Sequence, residues 1–394
     1  METAFWTCLF IVFYTYIGYG IILWCCIHIK RIMGPARPQL ALPEDASLWP
    51  EVTLMVCAYN EQDVVDMKME NTRQIDYPKD KLHMLWVTDG STDKTNERLS
   101  RYRGEADILF QPERQGKTAA LNRGVSHATT GIIIMTDANT RLNPDAVKEI
   151  VKQFEDSRVS CVAGEKRVMA RNGNQSAAQG EGVYWKYEST LKRWDAELYS
   201  AMGCAGELCA IRKELYRPMP KDTLLDDFIM SMQTLRQGYR IAYTDKAYAM
   251  EYGSASIEEE AKRKKRIAAG GLQSIWRLRP LMNVFRYPIV SFQFISHRIL
   301  RWSVTPFALL ALIPLNVTLV MQQAGTVYAF TWVLQLLFYA AAFAGYVLDA
   351  REGVKISALY IAYYFLFMNT NVFSGINYLI KHKGNGTWEK ARRG

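Results

Sequence analysis

The sequence has no CxxC pair and no cysteine–histidine spacing of the kind that holds zinc. Of its seven cysteines, Cys8, Cys25 and Cys26 fall in an apolar amino-terminal stretch, and Cys57, Cys161, Cys204 and Cys209 sit singly in apolar surroundings, a pattern that reads as reduced core thiols. Internal repeats and low-complexity tracts are also missing. Charge is absent from two places. From Thr3 to Ile29 no side chain is charged, and the run exceeds the roughly 20 residues a helix needs to cross a hydrocarbon layer. Its basic residues, Lys30 and Arg31, come after it, and Cys25, Cys26 and His28 do not form a small-residue cleavage site, so it reads as an anchor and not a signal peptide. The second gap is one of sign: between Lys262 and Arg301 there are many basic residues and no acid. That belt lies beside hydrophobic stretches, where basic residues meet anionic headgroups, which argues against a nucleic-acid partner and for membrane lipids.

What is present divides the 394 residues into unlike parts. Residues 1–31 form the anchor, and Lys30 and Arg31 put the next part of the chain in the cytoplasm. Residues 32–49 are a proline-rich linker. From 50 to 255, the apolar runs "VTLMVCA", "HMLWVTD", "GIIIMTD" and "RVSCVAG" alternate with helical patterns near 61–75, 117–127 and 144–156. That order predicts βαβ units around a mainly parallel sheet, an α/β domain whose ligands sit beyond the carboxyl ends of the strands. A long helix from 178, a small-residue stretch "MGCAGELCAI", a helix around "LLDDFIMSMQTLRQG" and the strand "YRIAYTD" complete it. Residues 256–302 are a basic gating or interfacial segment, in which 286–302 reads as an amphipathic helix lying in the interface, with His297 a structural histidine. Three apolar stretches, near 303–323, 326–348 and 354–380, reach span length, the last weakened by Asn369, Asn371 and Asn377. Three spans would leave the basic tail, 381–394, outside. Either the last stretch is interfacial or re-entrant, or the charge rule fails for the tail.

Four short stretches converge on one sheet edge: "CAYNE" (57–61), "TDGSTD" (88–93), "RQGKTAALN" (114–122) and "TDANT" (136–140). Each alone has a plain reading as a turn or a helix cap. Together they place carboxylates, a lysine and several turns where a nucleotide would lie. A sugar diphosphate carries negative charge that grows as the bond to the sugar breaks, and a hard divalent cation with oxygen ligands stabilises it. Asp137 and Asn139, two positions apart at a strand end, would point to the same side and reach one ion. A sugar hydroxyl needs a base, and Asp227 suits that task; its neighbour Asp226 would point elsewhere on the helix and raise its pKa.

These motifs, in this order, resemble the family 2 glycosyltransferases of GT-A fold, in the membrane-anchored branch that includes cellulose, hyaluronan and poly-N-acetylglucosamine synthases. The resemblance implies a Rossmann-like cytosolic domain between amino- and carboxyl-terminal transmembrane helices, in the cell membrane. It assigns Ala58, Tyr59 and Glu61 to the first-strand motif, and Asp89 to the uracil of a UDP-sugar. It also places Lys117 and Asp137 at the nucleotide-sugar, Arg266 facing its diphosphate, Asp137 and Asn139 at a Mg²⁺ or Mn²⁺ ion, and Asp227 as base. Asp226, Gly206 and Glu207 fall on the acceptor side, whether the acceptor is a glycan or lipid-linked. A base facing the anomeric carbon opposite the leaving group would invert an α-linked donor to a β-linked product. Two departures stand out. An amide replaces the second carboxylate of the DxD pattern at Asn139, and where the family has QxxRW this chain has Arg263, Arg266 and Ile267, without glutamine or tryptophan. The aromatic platform for an acceptor sugar is thereby missing from its usual place, which leaves single transfer to a polyprenyl-linked acceptor as the alternative to polymerisation. Trp276 is the nearest substitute in sequence, and Trp185, Tyr187 and Trp194 are aromatics of the long helix that could equally be core. A nucleotide sensor without turnover would not require the base.

Overall fold

A computed structural model describes residues 1–34, 40–169, 175–253, 257–349 and 356–381. Linker residues 35–39 and tail residues 382–394 lie outside the described residues. The uncharged amino-terminal run is one helix, α1 (Glu2–Met33), with Glu2 in its first turn and Lys30 and Arg31 in its last, the signs that the helix dipole favours. Then come β1 (Val52–Ala58), α2 (Val65–Arg73), β2 (Leu82–Thr88), α3 (Thr95–Ser100) and β3 (Asp107–Leu109). After them the chain forms α4 (Lys117–His127), β4 (Ile132–Asp137), β5 (Arg141–Leu142), α5 (Ala146–Gln153) and β6 (Val159–Met169). The domain closes with α6 (Gln175–Leu198), β7 (Leu208–Arg212), α7 (Asp226–Leu235) and β8 (Arg240–Tyr252). Four helices end the described chain: α8 (Ile257–Arg277), α9 (Pro288–Met321), α10 (Thr326–Asp349) and α11 (Ser357–Lys381).

The strands make one sheet in the order β3-β2-β1-β4-β7-β6-β8-β5. β3, β2, β1 and β4 are mutually parallel, as are β6 and β8, while β7 runs antiparallel to both its neighbours. Both faces are covered, which is why the parallel strands read as unbroken apolar runs. Leu54, Val56, Trp86 and Ile134 pack into one layer, and Met55, Leu85, Val87, Ile133 and Met135 into the other, in keeping with the two-residue alternation of a strand. Registers set the functional edge. Ala58 is opposite Thr88, Cys57 is opposite Asp137, and Thr136 is opposite Leu208, so the exits of β1, β2 and β4 and the entry of β7 lie side by side.

The helical region departs from the sequence reading in two ways. Residues 286–302 do not form a separate interfacial helix: from Pro288 they run unbroken into the next apolar stretch, and α9 is long and apolar enough to cross a membrane, as are α1 and Thr326–Leu348. α11 does not qualify. Its Asn369 and Asn371 are buried within the protein, each bonding a carbonyl one turn back, which suits a helix packed among others better than one facing lipid. Nor does the basic belt simply face headgroups. Arg263, Lys264 and Arg301 are buried in ion pairs with Glu251, Glu260 and Glu188. His297 is fully buried, with Nδ1 at 2.5 Å from Asp195 on α6, and Tyr19 on α1 donates to the same carboxylate. That cluster fastens α1 and α9 to the sheet domain through α6.

Candidate active site

The edge is built from turns that only certain residues permit. Gly90, just past β2, has φ 67°, and a Cβ there would lie 2.5 Å from the backbone nitrogen of Arg114. The loop before α4 is thus pressed against the exit of β2. Asp89 holds it. This buried carboxylate accepts from the backbone N–H groups of Gln115 (3.1 Å) and Gly116 (2.7 Å), and Arg123 stands 3.7 Å away. Asp89 therefore shapes the loop from beneath. Tyr59, after β1, is stacked under the Arg114 guanidinium at 3.9 Å, and Ala58 is buried behind it. The Glu61 backbone N–H donates to Thr95, whose own N–H donates to Asp93, the residue before the N-cap Lys94.

Lys117 is the first residue of α4 and Asp137 the last of β4; Lys117 Nζ donates to Asp137 Oδ1 at 2.8 Å. Gly206 lies beside them. A Cβ on it would stand 3.2 Å from Lys117 Nζ and 3.5 Å from Asp227 Oδ2, so this glycine lets the two groups approach from opposite sides. Glu207 pairs with Lys166 at 2.7 Å, and its carbonyl accepts from Thr136. Asp226 and Asp227 open α7, and Asp227 Oδ1 accepts from the Phe228 N–H. Burial, then the charge of Asp226, push the Asp227 carboxyl up to about 7, against the pull of Lys117.

Lys117, Asp137, Gly206, Asp226 and Asp227 line one cavity of about 430 Å³, which continues past Arg266, Trp185 and Trp302 to Tyr16 on α1 and Tyr364, Phe365 and Met368 on α11. The acids expected to flank one sugar do share a site. Two expectations need correction. Asp226 does not point away from the site: at the first turn of α7 both acids face the cavity, and Asp226 Oδ2 is buried there without a hydrogen-bond partner among the described residues. Asn139 is not among the cavity-lining residues, because β4 ends at Asp137 and the alternation of a strand stops with it. Instead, residues 137–140 form a turn closed by Thr140, which donates through N–H and Oγ1 to the Asp137 carbonyl.

Arg266 lines the cavity with its Nε buried and, among the described residues, unbonded, as a group awaiting an anion would be. Trp276 is exposed and stacked on Arg279, away from the site. The aromatic that sequence reasoning missed is Trp302, from α9. It packs edge-on against Phe228, and a Cβ on Gly271 would meet its ring at 2.7 Å. The adjacent glycines of "AAGG" were the available sign of a bulky neighbour, without saying which one. Among the described residues no set of three or more His, Cys, Asp or Glu is arranged to hold a metal ion. Asp137 alone fits a cation that keeps water and substrate phosphates as its remaining ligands.

Comparison with known proteins agrees with this architecture. Residues 53–219 match the model of glycosyl transferase family 2. Poly-beta-1,6-N-acetyl-D-glucosamine synthase of Staphylococcus aureus (strain MSSA476) is 24% identical over 253 residues, 62% of this chain and 60% of that one. The probable glycosyltransferase YdaM of Bacillus subtilis (strain 168) is 22% identical over 57% of each chain. The match thus spans about 60% of the length of these curated relatives. The solved structure of the mannosyltransferase PcManGT from Pyrobaculum calidifontis, in complex with GDP-Man and Mn²⁺, superposes over 97% of this chain and 99% of its own with a TM-score of 0.71 at 20% identity. That likeness establishes the fold across nearly the whole chain. Residues 53–219 thus carry a glycosyl transferase family 2 match, within a chain of GT-A-like fold.

Proposed function

We propose that the chain is an inverting, membrane-bound transferase that moves a sugar from a UDP-sugar to a glycan hydroxyl, building a β-linked polysaccharide. One observation carries the reading: Asp227, raised to about 7, shares a cavity with the Lys117–Asp137 pair, with Gly206 between them. Lys117 and Arg266 bind the diphosphate, and Asp137 would hold a Mg²⁺ or Mn²⁺ ion. When bound, such an ion neutralises charge on the departing diphosphate. Tyr59, Glu61 and the loop that Asp89 supports hold the uridine. Asp227 takes the proton of the acceptor hydroxyl as it attacks from the far side, which inverts the anomeric centre. Asp226, Gly206 and Glu207 shape the acceptor side. The domain faces the cytoplasm of a multi-pass protein in the cell membrane.

A second reading rests on the far end of the cavity, where Phe365 and Met368 are apolar and Ile267 stands in the usual tryptophan position. It gives the sugar once, to a lipid-linked acceptor. Purified protein with UDP-glucose, UDP-N-acetylglucosamine and GDP-mannose decides the donor, with nucleotide release as readout and product length separating the two acceptors. UDP release that depends on Mg²⁺ or Mn²⁺ is expected. GDP release alone overturns the uridine assignment, and release of neither overturns the reading.

A further inference from the structure

Three arginines meet at the foot of α9, on the far side of α7 from its two acids. Arg217, Arg236 and Arg286 come from separate segments and wall an open cavity of about 480 Å³, and among the described residues no carboxylate lines it. The acids nearest to Arg217 in sequence, Glu214 and Asp222, are not in its wall, and Asp222 pairs with Arg277 at 2.7 Å. Arg217 is steadied by carbonyls, its Nη1 donating to Glu214 O (3.0 Å) and Tyr216 O (3.1 Å). Tyr287 ties the parts together: its hydroxyl donates to the Arg236 carbonyl at 3.3 Å, and the Arg286 guanidinium lies 5.3 Å over its ring. Three like charges around one cavity repel each other, and an anion entering it relieves that repulsion.

The segment beside the cavity is held so that it stands out. Asn283 Oδ1 accepts from the N–H groups of Phe285 and Arg286, both at 3.1 Å, a tight turn that leaves Phe285 96% exposed. Val284 and Ile289 on either side are exposed as well. An aromatic ring offered next to a basic cavity suits a surface that is anionic outside and apolar within. The depth agrees. α1 and α9 run in opposite directions, with Thr15 and Thr305 hydroxyls 2.9 Å apart, Phe5 packed with Leu312 and Leu319, and Tyr19 beside Phe292. At about 1.5 Å of rise per residue in both helices, the end of the uncharged run at Ile29 stands level with about residue 291. The turn at 283–286 therefore lies near the depth of Lys30 and Arg31, where α1 passes from apolar to charged residues. We propose that Arg217, Arg236 and Arg286 bind the phosphate of an anionic membrane lipid, with Phe285 inserted between neighbouring lipids. The inference rests on α9 crossing a membrane and is independent of the donor reading.

The test uses the full chain in detergent, titrated with dioleoylphosphatidylglycerol or dioleoylphosphatidylcholine and read by native mass spectrometry, with the lipid-dependent rise in thermal midpoint as a second measurement. One phosphatidylglycerol is expected to bind about tenfold or more tightly than phosphatidylcholine, since each arginine near a membrane surface contributes about fivefold. Arg217→Gln, Arg236→Gln and Arg286→Gln together bring that ratio to within about twofold of unity. The single change Arg236→Glu carries the test if the triple variant does not fold, and it puts phosphatidylglycerol level with phosphatidylcholine or below it. Arg279→Gln removes an exposed arginine that is stacked on Trp276 outside the cavity, and it keeps the preference. Phe285→Ser weakens both lipids severalfold and leaves their ratio unchanged. A wild type without preference overturns the site, as does a loss in Arg279→Gln as large as in the triple variant, which would make the effect one of general surface charge. Inorganic phosphate or glycerol 3-phosphate binding as tightly as phosphatidylglycerol assigns the cavity to a soluble anion and overturns the lipid as its occupant.

Discussion

Asp227 faces two demands that pull apart. Its ordinary pKa is 3.8, and burial beside Asp226 raises it to about 7. The base proposed here must be ionised to act, so kcat/KM is expected to rise with pH up to about 7 and then level, a profile that steady-state rates between pH 5 and 9 would trace. The same shift bears on folding with the opposite sign. Below 3.8 the carboxyl is neutral in both folded and unfolded chains and costs nothing; above about 7 the folded protein carries the full cost of a disfavoured charge. Asp227→Asn should therefore lose transfer by about 10² to 10⁴, keep UDP affinity, and melt at a higher temperature than the wild type at pH 8 but not at pH 4. Normal transfer by that variant would remove Asp227 from the mechanism. Gly206 makes a milder prediction: Gly206→Ala sets a methyl 3.2 Å from the flexible end of Lys117, which yields, so donor KM rises severalfold while the thermal midpoint holds.

Elements differ in how far they were legible. β1, β2, β4 and β6 announce themselves because strands buried on both faces need uninterrupted apolar residues, and "VTLMVCA" and "GIIIMTD" have no other good use. β3 and β5, of three and two residues, carry too little pattern to read. Within the site, Asp137, Lys117 and Asp227 were recoverable because each terminates or opens an element, a local property. Trp302 and Tyr16 reach the cavity only through the packing of distant helices, which no window of sequence records. The buried knot of Asp195, His297 and Tyr19 is a similar case. Asp195→Asn should weaken the buried bonds to Tyr19 and His297 and cost about 1–3 kcal/mol, seen as a lower thermal midpoint in detergent. An unchanged midpoint would mean that α1 and α9 are held by apolar packing alone. Gly271→Val should drive Trp302 out of its seat and, by overpacking, cost about 1–3 kcal/mol in the same measurement.

At the scale of the whole molecule, the helices complete the site and do more than anchor it. Tyr16 contributes to the cavity wall, its hydroxyl donates to Asn369 on α11 at 2.9 Å, and Tyr19, Leu23 and Ile27 of α1 cover Leu191 of α6. Removing residues 1–34 should expose that apolar face of α6 and open one end of the cavity. Size-exclusion chromatography of the truncated chain is expected to show self-association, and a monodisperse, active truncation would contradict it.

β7 enters the sheet against the direction of its neighbours, and the groups proposed for either side of the sugar come from separate blocks of chain. Residues 52–142 hold everything proposed for the donor except Arg266, and residues 206–227 hold the proposed base and its surroundings. A crossover between those blocks would exchange one partner of the reaction while leaving the other's contacts intact. Hybrids joined in that interval give a direct route to new pairings of sugar and recipient, one that selection and protein engineers can both use.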